Sequence, residues 1–205
     1  MSRLALHQVG RIDWSGCVEP FFTRFMIALG LPVTYANSNL KITFGMTNNA
    51  LCLTTATRWI VQAMKGPKAT TGEDPVQKHL GKMLLAIESY FHPANAAANP
   101  ASEGLHLFVS LLCTFFVRRV HLERHNTKWP CRTPEESRLT DEDISRFVEA
   151  LTPITFHVLY NAHDEEKRNI FNCLATLKPD IVIPKLIKRL HLDVQLMNTP
   201  NRYLK

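Results

Sequence analysis

The densest group of charged side chains in this 205-residue chain lies between residues 118 and 132. Five cations and a single anion, Glu123, fall within those fifteen residues. The five cations are Arg118, Arg119, Arg124, Lys128 and Arg132. Guanidinium and ammonium groups at this density can bind phosphate or carboxylate groups through charge-assisted hydrogen bonds. We therefore predict that these five residues, here called the basic segment, form an anion- or partner-binding surface. The alternative is a solvated helix end, where cations offset the helix dipole.

Two histidines of the same stretch, His121 and His125, are four residues apart and would share one face of a helix. Together with Cys131, six residues later, they have a spacing that can bind zinc. The pattern is not that of a zinc protease, because Glu123 lies midway between the histidines and not next to the first one. The neighbouring arginines would also repel a metal cation. We predict no metal site here.

Nucleophilic and acid–base chemistry have weaker support in the sequence. A catalytic cysteine needs a partner base and a lowered pKa. Four of the five cysteines lie in or beside apolar stripes, where cysteine usually packs as a small hydrophobe. These four are Cys17, Cys52, Cys113 and Cys173. Helix capping and solvation explain the acidic cluster at 135–143. We therefore predict no catalytic residue and no enzyme activity.

The overall composition limits the compartment and the partners. A hydrophobic content of 45% and a charged content of 20% are typical of a folded soluble protein. No run of 18 apolar residues is apparent, so we predict no membrane partner. The cysteines form no CxxC pair, which favours a reducing compartment over a disulfide framework. The formal net charge of +6 is a weak argument for nucleic acid. Trp129 is the only aromatic residue near the basic segment outside a predicted core stripe, whereas single-strand binders usually present several rings.

Apolar residues recur at three- and four-residue spacings in seven segments, and each segment predicts a helix with one buried face. The stripes cover residues 18–29, 46–64, 76–91, 105–120, 144–158, 170–177 and 182–190. Asp74 followed by Pro75, and Thr140 followed by Asp143, are typical helix starts. Pro153 predicts a bend within the fifth helix. The alternating residues 40–44 are too short to indicate a sheet.

These helices would be joined by a small-residue loop at 93–104 and a proline-containing loop at 128–138. The pattern favours an all-α fold, a HEAT-like α-solenoid segment of about seven helices in antiparallel pairs, with residues 1–205 forming a single segment. A closed helical bundle is the alternative. The apolar stretch 191–197 would have no following repeat to cover it, so we expect the isolated chain to be marginally stable or to self-associate.

Six sequence segments resemble the family of proteasome activator complex subunit 4, the very large single-chain HEAT-repeat proteasome activators. They occur in the family's order over residues 6 to about 190, and none is a catalytic signature. They are LHQVGRIDW (6–14), VQKHL (76–80), SYFHPAN (89–95), VRRVHLER (117–124), LTDED with FV (139–148) and LKPDIVIP (177–184). The specificity of the resemblance comes from the ordered series.

The resemblance implies part of an α-solenoid that curls into a dome over the end of the proteasome core particle. Family members open the gate of the core particle without ATP and promote degradation of peptides and of unfolded or acetylated proteins, including histones. They act in the nucleus and the cytoplasm, and in DNA repair. They also hold inositol phosphates in basic openings of the dome, which makes inositol phosphate a possible ligand of the basic segment.

The resemblance also sets an expectation for the end of the chain. The family docks through a tail whose second-last residue is tyrosine, whereas Tyr203 is the third residue from the end here. We therefore expect the docking tail and the acetyl-lysine-binding region to be absent, and the chain to be a fragment or a short form. The alternative function, from a different class, is a stand-alone helical-repeat adaptor that binds acidic peptides, inositol phosphates or RNA.

Overall fold

The computed structural model describes residues 9–29, 31, 46–66, 74–92, 95, 102–125, 133–159 and 165–198. Those ranges contain seven α-helices and two short 3-10 helices, Glu88–Phe91 and Glu135–Ser137. The α-helices are α1 (Ser15–Ala28), α2 (Met46–Ala63), α3 (Pro75–Ile87), α4 (Ser102–Arg124), α5 (Asp141–Leu159), α6 (Glu165–Leu177) and α7 (Pro179–Asn198). The described ranges contain no strand, and residues 40–44 lie outside them. The prediction of an all-α fold is confirmed.

The helices are arranged in two layers, and each helix packs against the helix two positions further along the chain. In the first layer α1 packs on α3, α3 on α5, and α5 on α7. In the second layer α2 packs on α4, and α4 on α6. Helix α6 also contacts α5 and α7, which joins the two layers. This alternation is the stacking of helix pairs that defines an α-solenoid, so the predicted architecture is confirmed.

Local capping fixes the starts of two of these helices where the sequence predicts them. The Asp74 side chain accepts a hydrogen bond from the backbone N–H of Gln77 at 3.2 Å, and Pro75 occupies the first turn of α3. At the start of α5, Asp143 Oδ2 accepts from the backbone N–H of Thr140 at 2.9 Å and from its hydroxyl at 2.7 Å. Thr140 Oγ1 in turn accepts from the Asp143 N–H at 3.3 Å. This reciprocal pair is a capping box.

The observed boundaries correct the predicted loops in part. Helix α4 begins at Ser102, so the last three residues of the predicted loop 93–104 are helical. Glu103 suits a first turn, because a carboxylate there complements the helix dipole. Within the predicted loop 128–138, residues 133–138 include a 3-10 turn, and 128–132 lie outside the described residues. Helix α5 continues through Pro153, where the expected bend stays a prediction.

Aromatic side chains fill the core between the layers. The rings of Phe116 on α4 and Phe147 on α5 stack with centroids 3.6 Å apart, and the ring of Phe108 on α4 lies 5.2 Å from that of Phe25 on α1.

Among the described helices, α4 is long and apolar enough to span a membrane by length and composition. In this fold 56% of its apolar window is buried, and it lies between α2 and α6. A core helix of a folded protein has these same properties.

Candidate functional site at the end of helix α4

The structure divides the basic segment into three parts. Arg118 and Arg124 lie exposed on the last turns of α4. Arg119 is buried. Lys128 and Arg132 lie outside the described residues. The five cations therefore do not all contribute to one solvent-facing surface.

Arg119 points into the protein, where it is 3% exposed. Its Nη1 donates hydrogen bonds to the backbone carbonyls of Val61 and of Met64, the latter at 2.9 Å. Its Nη2 donates to the carbonyl of Ser137 at 3.2 Å. The last carbonyls of a helix have no partner within the helix, and a cation there also complements the dipole. Arg119 thus caps the end of α2. The prediction that it belongs to an anion-binding surface is wrong, because its side chain is buried against backbone carbonyls.

Glu123 completes this buried arrangement and is 8% exposed. Its Oε1 accepts from Arg119 Nε at 2.8 Å, and its Oε2 accepts from the backbone N–H of Leu139 at 2.9 Å. A buried ion pair is tolerated when both partners also satisfy their remaining hydrogen-bonding groups. The other hydrogen bonds of Arg119 and Glu123 all join backbone groups. The pair therefore connects α4 to α2 and to residues 133–139, here called the tie segment.

Glycine allows the tie segment to lie close against the end of α2. The Gly66 N–H donates to the Ser137 carbonyl at 3.3 Å, and a Cβ at Gly66 would overlap the carbonyl oxygen of Arg138. Gly10, with φ of +75°, similarly lies against the Ser137 side chain, where a Cβ would overlap it. We call Gly66, Arg119, Glu123 and the tie segment the arginine junction. It joins three chain segments by buried polar contacts.

The spacing of residues along the fourth helix contains a signal for this junction. Positions 112, 116, 119 and 123 follow the three- and four-residue spacing of the predicted apolar stripe of the fourth helix. Arg119 and Glu123 therefore fall on its buried face, together with Phe116. A cation and an anion four residues apart on a buried face indicate an internal ion pair.

The exposed side of the same helix end contains a separate charge cluster around Asp141. Arg124 Nη2 lies 2.8 Å from Asp141 Oδ1, and Lys178 Nζ lies 3.5 Å from the same oxygen. The hydrogen bond from Arg124, its charge and the charge of Lys178 lower the pKa of the Asp141 carboxyl. Asp141 and Arg124 are exposed, so their pairing contributes little stability. Anion binding by Arg118 and Arg124 stays a prediction.

His121, near the end of α4, and His125, one residue past that end, are both exposed, with ring centroids 5.1 Å apart. The described part of the chain contains no group of three side chains that could hold a metal ion. Cys131, the proposed third ligand, lies outside the described residues. The two imidazoles therefore add polar surface next to Arg118.

The cysteines divide between the core and the surface. Cys113 is buried, and burial raises the pKa of its thiol well above the usual value. Cys173 is half-buried, and burial also raises its pKa. Both pack as the sequence predicts. Cys17 and Cys52 are exposed, so for them the prediction of packing in the core is wrong.

A row of apolar side chains is exposed along α7, at the far end of the first layer. The row consists of Ile183, Ile187, Leu190 and Val194, and Ile187 is 61% exposed. Their 4–3–4 spacing is that of a seam between two helices. Helices α3 and α5 have a neighbour on each side in their layer, whereas α7 has one, α5, among the described helices. The row, here called the α7 face, lies where a further solenoid helix would pack.

Two layers of helix pairs, with each helix packed on the second one along the chain, define a HEAT-type α-solenoid segment. The family model described as "Proteasome activator complex subunit 4, mid HEAT repeats region" matches residues 80–204. The chain therefore belongs to the proteasome activator complex subunit 4 family. The predicted resemblance is confirmed by this match.

Individual relatives extend the likeness over almost the whole chain. It is similar to proteasome activator complex subunit 4 of Xenopus laevis, with 32% identity over 203 residues, and to that of Homo sapiens, with 30%. It is also 28% identical to subunit 4A of Danio rerio. Each of these matches covers 98% of this chain and 10–11% of the relative. The chain therefore spans about a tenth of the length of these relatives.

Proposed function

We propose that this chain is a structural and binding segment of an ATP-independent proteasome activator that caps the core particle. The observation that carries the proposal is the two-layer helix stack in a chain that matches the family's mid HEAT repeats region. A stack of this kind supplies a curved, extended wall. The family is of a regulatory, non-catalytic type, and we propose that this segment acts through its shape and its contacts.

In this proposal the arginine junction keeps successive helix pairs at a fixed angle. Arg119 and Glu123 bind the end of α2 and the tie segment to α4 by directional hydrogen bonds. Hydrophobic packing is non-directional, so it would not by itself select one pitch of the wall. The α7 face then provides the contact on which the next helix pair continues the wall.

For a full-length activator that contains such a segment, we propose the substrates that the family resemblance implies. These are peptides and unfolded or acetylated proteins, with histones among them. We propose the nucleus and the cytoplasm as its locations, and DNA repair as a process that it serves. The support for these points is family membership, and the chain covers about a tenth of the relatives' length.

A second candidate is a stand-alone adaptor that binds acidic peptides, inositol phosphates or RNA. The exposed Arg118, with the exposed His121 and His125 near the same end of α4, favours an anionic ligand. Arg124 would contribute only by leaving Asp141. RNA binding would weaken steeply as salt concentration rises, because bound cations displace counterions from the phosphates.

Co-purification with the proteasome core particle separates the two candidates. Immobilised core particle is incubated with the 205-residue chain, or with the full-length Xenopus laevis relative as a positive control. Under the proposal the chain is retained above a bovine serum albumin control, because its surface contributes contacts to the cap. If the relative is retained and the 205-residue chain is not, this segment does not contact the core particle directly. That result would favour the adaptor.

A further inference from the structure

Helices α1 and α2, at the end of the stack opposite the α7 face, border an apolar groove. It has a volume of about 400 Å³ and is lined by residues of α1 and α2. Phe21 and Trp59 form its aromatic side, with ring centroids 4.2 Å apart, and Leu53 lies beside them. Trp59 and Leu53 are themselves almost fully buried. The groove therefore has well-packed walls, as a binding site requires.

The size and the polarity of the groove indicate which apolar group of a ligand would fit in it. Small-molecule sites range from about 300 to 1,000 Å³ and are lined mainly by hydrophobic and aromatic side chains. Water is a poor occupant of such a space, because each ordered water molecule needs two to four polar partners. An alkyl or aryl group of about ten carbon atoms would fit and would remove apolar wall surface from water.

Among the described residues that line the groove, Arg24 carries the charge, and its position indicates the head group of a ligand. Arg24 is exposed. None of the ion pairs between described residues includes it. A guanidinium group binds a carboxylate through two parallel hydrogen bonds. We propose that the α1–α2 groove binds an amphiphilic carboxylate, with its apolar body against Phe21 and Trp59 and its acid group on Arg24. The proposal is independent of any role in proteasome activation.

The exposed thiols of Cys17 and Cys52 line the same groove and report its occupancy. The test measures alkylation rates of individual cysteines by mass spectrometry in the 205-residue chain, with sodium decanoate or with decyltrimethylammonium bromide. The two probes have the same tail and opposite head-group charge. We expect decanoate to slow alkylation of Cys17 and Cys52 at least fivefold, to leave Cys173 unchanged, and to protect better than the cation.

Two variants and a control locate the effect. Arg24→Gln should remove the preference for decanoate over the cation, a change of about threefold as for an exposed ion pair. Ala56→Trp should fill the groove and abolish protection, whereas Leu51→Trp, at an exposed position on the same helix, should retain it. Equal protection of every cysteine by both probes, an absence of protection, or an unchanged preference in the Arg24→Gln variant would each overturn the proposal. The Arg24→Gln result decides the question if the Ala56→Trp protein does not fold.

Discussion

Replacing Arg119 with methionine is expected to lower the free energy of unfolding by about 3–5 kcal/mol, the cost of removing one partner of a buried ion pair. Methionine fills much of the same space but donates no hydrogen bond. The substitution leaves the Glu123 carboxylate buried without its cation, and it removes the donors to the carbonyls of Met64 and Ser137. Buried acceptors that lose their donors account for most of the penalty.

The neighbouring Arg118 supplies the matched control, because it carries the same side chain on the exposed face of α4. Arg118→Met should change the free energy of unfolding by less than about 0.5 kcal/mol. Both variants are unfolded in urea and followed by circular dichroism. A loss of helical signal for Arg119→Met in the absence of urea agrees with the expectation. If the two variants differ in stability by less than about 1 kcal/mol, the arginine junction does not hold the segment together.

Gly66→Ala is expected to destabilise the protein by roughly 1–3 kcal/mol, the usual range for overpacking a tight site. The added methyl group would overlap the carbonyl oxygen of Arg138, and backbone atoms cannot turn aside as a side chain can. The tie segment would have to move, which would lengthen the hydrogen bond between the Gly66 N–H and Ser137.

Gly81→Ala, the same substitution at another position, is expected to stabilise the protein. Gly81 lies within α3, and a methyl group there meets nothing within 4 Å. Alanine in a helix is favoured over glycine by about 0.5–1 kcal/mol, so this variant should be more stable than the parent. Thermal melting of both variants tests the pair. Melting temperatures that rise together would contradict the close approach of the tie segment to α2.

The features that the sequence predicts well are those that depend on neighbouring residues. The starts of α3 and α5 follow from Asp74, and from Thr140 with Asp143, because a cap and its N–H partner are three residues apart. The stripes likewise need only the period of one helix. The order of packing between helices then follows from the repeat architecture.

The arginine junction was not predicted because its hydrogen-bond partners are remote in the sequence. Arg119 bonds to the carbonyl of Met64, 55 residues earlier, and to that of Ser137, 18 residues later. A run of five cations in sequence was interpreted as one surface, yet successive residues of a helix point in directions about 100° apart. The side chain of Arg118 therefore reaches solvent while that of Arg119 enters the core.

The exposure of Cys17 and Cys52 could not be predicted for a related reason. Both residues belong to helices whose apolar faces are wide, and the sequence does not indicate where two such faces separate. The space between α1 and α2 depends on the angle between the helices. That angle is set by contacts along their whole length, so the groove is visible only in the folded chain.

A chimera tests the proposal that this chain serves as a section of an activator wall. The matched stretch of the Xenopus laevis relative is replaced by residues 1–205 of this chain, and hydrolysis of a fluorogenic peptide by the core particle is measured. We expect the chimera to stimulate hydrolysis as the unaltered relative does, and we expect Arg119→Met in the chimera to abolish the stimulation. If a folded, monodisperse chimera leaves hydrolysis at the rate of the core particle alone, the proposal is wrong.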